Sequence, residues 1–253
     1  LIVRLVREKK ATLTRYLHTL KPDVTEAGIE ALKNEIRHLI VEVIRYHLRL
    51  LKLNRKEPLL SFLKKEQATT TKDVAPEEQY QNIKLLEAEI YTFASGLQMH
   101  ELRDEEAREL NKLLHATRNA VASAKILKDV QHNLQEVEAA DNAEIEKLMV
   151  HFKDKWATIH QEFIRVLEEK ETSTNISMIH GLTLKNKEDD IAFTQLITSV
   201  IASRKINQAD IPTQITLNRA FNMSVRQMTH ALRDLLFTEP EVEIVEKLSE
   251  ATK

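Results

Sequence analysis

The chain lacks cysteine altogether, and it carries only three glycines and five prolines in 253 residues. Without cysteine there is no disulfide, no thiol nucleophile and no thiolate metal site. Average usage would give roughly 18 glycines and 13 prolines in this length. Sheet folds turn often, and their turns consume Gly, Pro, Asn and Asp. So poor a supply of turn formers excludes a β-sandwich and leaves long helices. Gly28, Gly96 and Gly181 stand alone, so no glycine-rich loop can cradle a phosphate as dinucleotide- and nucleotide-binding folds do. Aromatics are 5% of the chain. No apolar run approaches the ~18 residues that read as a membrane-spanning helix.

What the chain has is helical patterning. Hydrophobic residues make up 42% and charged residues 30%, enough apolar surface for a packed core. Basic and apolar residues alternate at helical spacing over 2–20, and Lys21-Pro22-Asp23 breaks that helix. A second helix is expected from about Thr25 to Leu53, with Leu32, Ile36, Leu39, Val43 and His47 on one face. Residues 54–79 read as a linker, with a threonine run before Ala75-Pro76. Helices are expected over 78–97, over 102–138, and over about 141–171, where Ile145, Leu148, Phe152, Trp156, Ile159 and Phe163 form a seam with steps of three and four. Residues 172–187 read as irregular around Gly181. Helices over 188–205 and from about 212 to 238 follow, the last with Leu217, Phe221, Val225, Met228 and Leu232 on its face and Pro212 in its first turn. The fold class is all-α, and the two halves around residue 139 suggest two tandem antiparallel three-helix bundles. The expected divisions are a basic helix at 1–21, a first bundle at 22–138, a second at 139–238 and an acidic tail at 239–253.

Charge is distributed unevenly. The net value is −2, yet residues 1–20 carry Arg4, Arg7, Lys9, Lys10 and Arg15 against Glu8 alone. That surplus of four leaves −6 on the remainder, which argues against a nucleic-acid partner for the body. It suggests an anionic surface, such as a membrane, for the opening helix. Candidate ligand pairs are few. Glu35 with His38, Asp129 with His132, and His230 with Asp234 have helical ligand spacing. On the helical wheel His38 is about 200° from the core residue Ile36, and it and the His230–Asp234 pair are expected in solvent. Between 102 and 138 the helix has a small-residue patch at Ala116, Ala120, Ala122, Ser123 and Ala124, where a neighbour can approach closely. Beside it runs a stripe at steps of three and four, Arg118, Ala122, Lys125, Asp129 and Asn133, flanked by Ser123 and Lys128. This stripe is expected to form either a partly buried network or a solvated ion-pair face.

Three segments carry a family resemblance. They are Tyr80-Gln-Asn-Ile-Lys84-Leu-Leu-Glu87; Arg118-Asn119 with Ser123, Lys125, Lys128, Asp129, Asn133 and Leu134; and Leu217-Asn218-Arg219 with Ser224 and Ala231-Leu-Arg-Asp-Leu-Leu236. Over most of residues 22–238 the chain resembles the C-terminal cytoplasmic, PhoU-like part of bacterial sodium/phosphate cotransporter proteins. The resemblance implies a non-enzymatic regulatory domain at the cytoplasmic face of the inner membrane. It implies a transmembrane transport domain of the same protein as partner, with Arg4, Arg7, Lys9, Lys10 and Arg15 toward the lipid. A chain that opens on leucine is expected to be part of a longer protein, and a homodimer is a further possible assembly. The family's metal-binding glutamate and aspartate correspond here to Lys125 and Asp129, so no metal and no cofactor is expected, and Asp129 is the one remnant. The residues expected to form a polar network or interaction site are Arg118, Lys125, Lys128, Asp129 and Asn133, with Asn218 and Arg219. The alternative is a soluble helical scaffold, or a free-standing phosphate-signalling regulator, that acts through protein contacts.

Overall fold

The structure is a computed structural model that describes residues 13–17, 25–53, 74–204 and 206–250. Among the described residues the regular elements are all helical: α1 (Thr25–Leu50), α2 (Pro76–Gln98), α3 (Asp104–Asp129), α4 (Gln131–Ala139), α5 (Ala143–Glu168), α6 (Thr172–Ala202), a 3₁₀ turn (Gln208–Asp210), α7 (Ile211–Leu236) and α8 (Glu239–Glu250).

Side-chain contacts give the direction of each helix. Arg49 of α1 bonds the Val74 carbonyl just before α2, while Gly28 at the other end of α1 meets Leu97 at the end of α2. The two are therefore antiparallel. A Cβ on Gly28 would lie 2.5 Å from Leu97 Cδ2, so glycine permits this close crossing. Lys128 near the end of α3 reaches Glu77 at the start of α2, which makes α3 antiparallel to α2. The same logic orders the second half. Lys155 faces Asp189 and Phe152 faces Phe193 across α5 and α6. Asp190 faces Asn218, and Asn186 faces Asn222, across α6 and α7. Helices α1, α2 and α3 contact one another, as do α5, α6 and α7, and the most extensive contact of all joins α3 to α7. One hydrophobic core runs continuously through both triplets.

The apolar stripes read from the sequence supply this core. Ile145, Leu148, Phe152, Trp156, Ile159, Phe163 and Val166 of α5 are buried, and so are Leu217, Phe221, Val225, Met228, Leu232 and Leu235 of α7. Phe221 packs its ring 4.3 Å from Trp156 and 5.2 Å from Phe152, centroid to centroid. Aromatic side chains such as these bury about 150–250 Å² each. Asn142 caps α5, its side chain accepting from the Glu144 and Ile145 amides at 2.9 and 3.3 Å. Pro212 lies in the first turn of α7, where its missing N–H costs nothing.

Several expectations are corrected. Residues 172–187 are not irregular, because α6 runs through them from Thr172. Ser177 and Thr183 turn their hydroxyls onto the carbonyls four residues back, and Ile179 and Leu182 are buried. Those bonds satisfy the polar side chains within the helix, and burial favours the helical face. The helix expected over 102–138 is two, broken at Val130, whose φ of −104° and ψ of 11° leave helical geometry. The expected linker ends early, since α2 begins at Pro76; residues 54–73 lie outside the described residues. Residues 13–17 form a turn and bends rather than the end of a helix, and the rest of 1–12 and 18–24 is outside the described set. The acidic tail forms α8, which packs on α6 and buries Val245. Among the described residues no helix is long and apolar enough to cross a membrane.

Candidate functional site

The small-residue patch of α3 faces α7. Ala116, Ala120, Ser123 and Ala124 have no exposed surface, so the two backbones approach closely and exchange hydrogen bonds. Ser123 Oγ donates to the Ser224 carbonyl at 2.8 Å, and Ser224 Oγ reaches the Ser123 carbonyl at 3.1 Å. The hydroxyls are 2.8 Å apart. The exchange is reciprocal about the Ser123–Ser224 pair, and the two helices cross antiparallel. Away from it, contacts pair falling numbers on α3 with rising numbers beyond Ser224: Asn119 with Asp234, Lys112 with the Phe237 carbonyl, Arg108 with Glu239. Helices α3, α7, α1 and α5 are each 26 residues long, whereas α2 has 23 residues and α6 has 31.

At one flank of the seam Asp234 is buried. It accepts from Arg233 Nε at 2.8 Å and Asn119 Nδ2 at 3.2 Å, and Arg233 continues to Glu246 of α8 at 2.9 Å. The expected solvated His230–Asp234 pair is thereby corrected. Asp234 closes an interhelical ion-pair chain, and burial depresses the His230 pKa.

The seven residues expected to act together are dispersed over several separate places. Lys125 and Asp129 pair at 2.5 Å on the open surface of α3. The hydrogen bond to Asp129 raises the Lys125 pKa. Lys128 stacks 4.6 Å above the Tyr80 ring and pairs with Glu77 at 3.1 Å, binding the ends of α2 and α3 together. Behind this corner the Tyr46 hydroxyl is buried with no hydrogen-bond partner among the described residues, and burial pushes its pKa upward. Arg118 is exposed, Asn133 is half-buried, and Arg219 projects from the surface of α7. Asn218 is buried, with its amide on Asp190 of α6 at 2.7 Å. A single buried network is therefore not what the stripe forms. The buried polar contacts lie one position over, on Asn119 and Ser123.

Two histidine groups depart from expectation or went unremarked. Glu35 is fully buried, and its Oε2 accepts from the backbone amides of Arg15 and Tyr16 at 2.8 and 2.7 Å. His38 is buried rather than exposed, because residues 13–17 cover that face of α1. Burial first, then the Arg15 and Arg45 charges, lowers its pKa to about 3. Arg15, expected toward a membrane, is half-buried against α1, while Arg4, Arg7, Lys9 and Lys10 lie outside the described residues. In the core, His160 Nδ1 is 2.8 Å from the Trp156 carbonyl and its Nε2 is 3.3 Å from His47 Nδ1. The carbonyl can only accept, so Nδ1 carries the His160 proton and His47 donates to Nε2. Burial lowers both pKa values, that of His160 to about 4.

Among the described residues no three carboxylate or imidazole groups are grouped to hold a metal. A groove of about 670 Å³ lies between the N-terminal parts of α1 and α3 and is lined mostly by glutamates, with Lys33 and Arg103. Comparison with protein-family models, with curated proteins and with solved structures finds no match for the chain.

Proposed function

We propose that the chain is a non-catalytic regulatory domain of a sodium-dependent phosphate transporter, working by contact at the cytoplasmic face of the membrane. One observation supports this reading above the others. The two longest segments that resemble the PhoU-like family, 118–134 and 217–236, are neighbours across the α3–α7 seam, and Ser123 and Ser224 exchange hydrogen bonds there. Segments far apart in sequence that meet through reciprocal hydrogen bonds are what the matching halves of a duplicated unit would give. Such a body is stiff along α3 and α7. It suits a domain that transmits a bias to a membrane partner rather than one that encloses a substrate.

In this reading Arg4, Arg7, Lys9 and Lys10 face anionic lipid, each worth roughly 1 kcal/mol near such a surface. The exposed Arg118, Lys125, Asp129 and Arg219 offer polar contacts to the transport domain.

The test is sodium-dependent phosphate uptake in cells carrying the complete gene, compared with the same gene lacking residues 22–253. Altered uptake, or altered expression of phosphate-responsive genes, is the expected result. Unchanged uptake and unchanged response would leave a scaffold of unrelated purpose as the better reading.

A further inference from the structure

Two pairs of oxygen-bearing side chains face each other across α6 and α7. Asn186 and Asp190 are one turn apart on α6, and Asn218 and Asn222 one turn apart on α7. Both amide nitrogens of the α7 pair converge on a single atom, Asp190 Oδ1, each at 2.7 Å. Asn186 Nδ2 closes the group onto the Asn222 carbonyl at 3.2 Å. The nitrogens are thus satisfied. The oxygens are not: Oδ1 of Asn186, Asn218 and Asn222 are all buried and accept no hydrogen bond among the described residues. Asn218 is only 4% exposed. One turn before it Gln214 is fully buried, and neither of its amide atoms has a partner. Buried polar atoms without partners are rare and costly, and here they are concentrated in one interhelical notch.

Charge in the notch favours a positive guest. Lys155 of α5 stands 3.6 Å from Asp189 and neutralises that carboxylate. Asp190 lies at the rim, where its Oδ1 accepts from the two neutral amides, with Lys155 acting on it through charge alone. Carboxamide oxygens and a carboxylate are hard donors, the ligand set of calcium-like cations. Calcium tolerates irregular geometry and takes carbonyl oxygens readily, whereas magnesium demands a near-ideal octahedron.

We infer that Asn186, Asp190, Asn218 and Asn222 form a binding site for a hard cation of the calcium type. A half-turn of the Asn218 and Asn222 amides exchanges nitrogen for oxygen at the same point. Each Oδ1 then lies where its Nδ2 was, 2.7 Å from Asp190 Oδ1. Oxygens about 3 Å apart are the spacing of neighbouring ligands around one ion with metal–oxygen distances near 2.4 Å. Without the ion that arrangement sets acceptor against acceptor, so the amides present nitrogen. With the ion, the Asn218 and Asn222 oxygens turn inward onto it, and metal–oxygen contacts replace the two hydrogen bonds to Asp190 while the amide nitrogens take the outward positions. A single charged ligand, with Lys155 and Lys185 nearby, holds the affinity to the order of 1 mM, that of weak calcium sites. The inference rests on the α6–α7 geometry and is independent of any link to phosphate transport.

The experiment is calorimetric titration of chelator-stripped protein with calcium, magnesium and sodium chlorides at constant ionic strength. It is paired with NMR of the asparagine side-chain amides. One saturable calcium site is expected, tighter than magnesium, with the Asn218 and Asn222 amide resonances shifting in step. Removing the charge in Asp190→Asn should weaken binding by about tenfold or more, and Asn222→Asp should tighten it by about tenfold. That gain cannot arise from a folding defect, so the pair stays informative even where Asp190→Asn unfolds. No saturable binding of any of the three cations up to about 20 mM, or undiminished binding by a folded Asp190→Asn protein, overturns the inference.

Discussion

The buried histidines make a quantitative claim about acid stability. His160 is wholly buried, and its pKa falls from the ordinary 6.5 to about 4. A folded-state pKa below the unfolded value means that the unfolded chain binds more protons between those limits. Stability is therefore intact above about pH 6.5 and is lost as the pH falls toward 4. Near pH 4.5 an unfolded histidine is protonated about a hundred to one, while folded His160 is mostly neutral. The difference is a loss of about 2.5 kcal/mol from this one ring. His47, whose pKa is lowered by burial and then by His160, and His38, with a pKa of about 3, act in the same direction. The assay is urea unfolding, followed by far-ultraviolet circular dichroism at about pH 7 and about pH 4.5, on the wild type and on His160→Gln. Comparing the two pH differences cancels whatever packing the substitution itself disturbs. The wild type should lose about 2.5 kcal/mol more than the variant over this interval. Equal losses would refute the reasoning, since they would mean that His160 titrates alike in both states.

The seams of α5 and α7 were legible in the sequence because a helix with one buried face writes that face as steps of three and four. What periodicity does not record is which neighbour covers the other faces. His38 sits well away from Ile36 on the wheel and would be exposed on an isolated α1. It is buried because Glu35 ties the amides of Arg15 and Tyr16 across it. The candidate stripe shows the same gap. Arg118, Lys125 and Asp129 drew notice through charge, yet the contact surface runs through Asn119 and Ser123. The small-residue patch marked the right helix, and the uncharged polar side chains within it mark the seam. Asn218 was among the expected site residues, and Gln214 and Asn222, one turn to either side of it, were legible too as amides at four-residue spacing. Composition misled at 172–187. Serine, threonine, asparagine and glycine suggest a loop, whereas the structure turns the hydroxyls into donors to carbonyls four residues back along α6.

Three further perturbations separate these readings. Ser123→Ala and Ser224→Ala should each cost about 1 kcal/mol. A double-mutant cycle should return a coupling of about 0.5 kcal/mol or more by urea unfolding, and strict additivity would mean that the reciprocal bonds contribute nothing jointly. Glu35→Ala removes the acceptor for two backbone amides, so hydrogen exchange at Arg15 and Tyr16 and tryptic cleavage after Arg15 should both accelerate; unchanged protection would show that the segment is held by other means. Gly181→Ala tests the course of α6 itself. Gly181 lies inside the helix, and an added Cβ would meet no described heavy atom within 4 Å. In a helix interior alanine is favoured over glycine by about 0.8–1 kcal/mol, partly because the unfolded chain loses freedom. Nothing here offsets that gain, so the variant should be more stable by about 0.5–1 kcal/mol in urea unfolding. In an irregular loop the helical term would vanish, and a loop glycine with positive φ would make alanine destabilising. A neutral or negative change would therefore return residues 172–187 to the loop that their composition suggests.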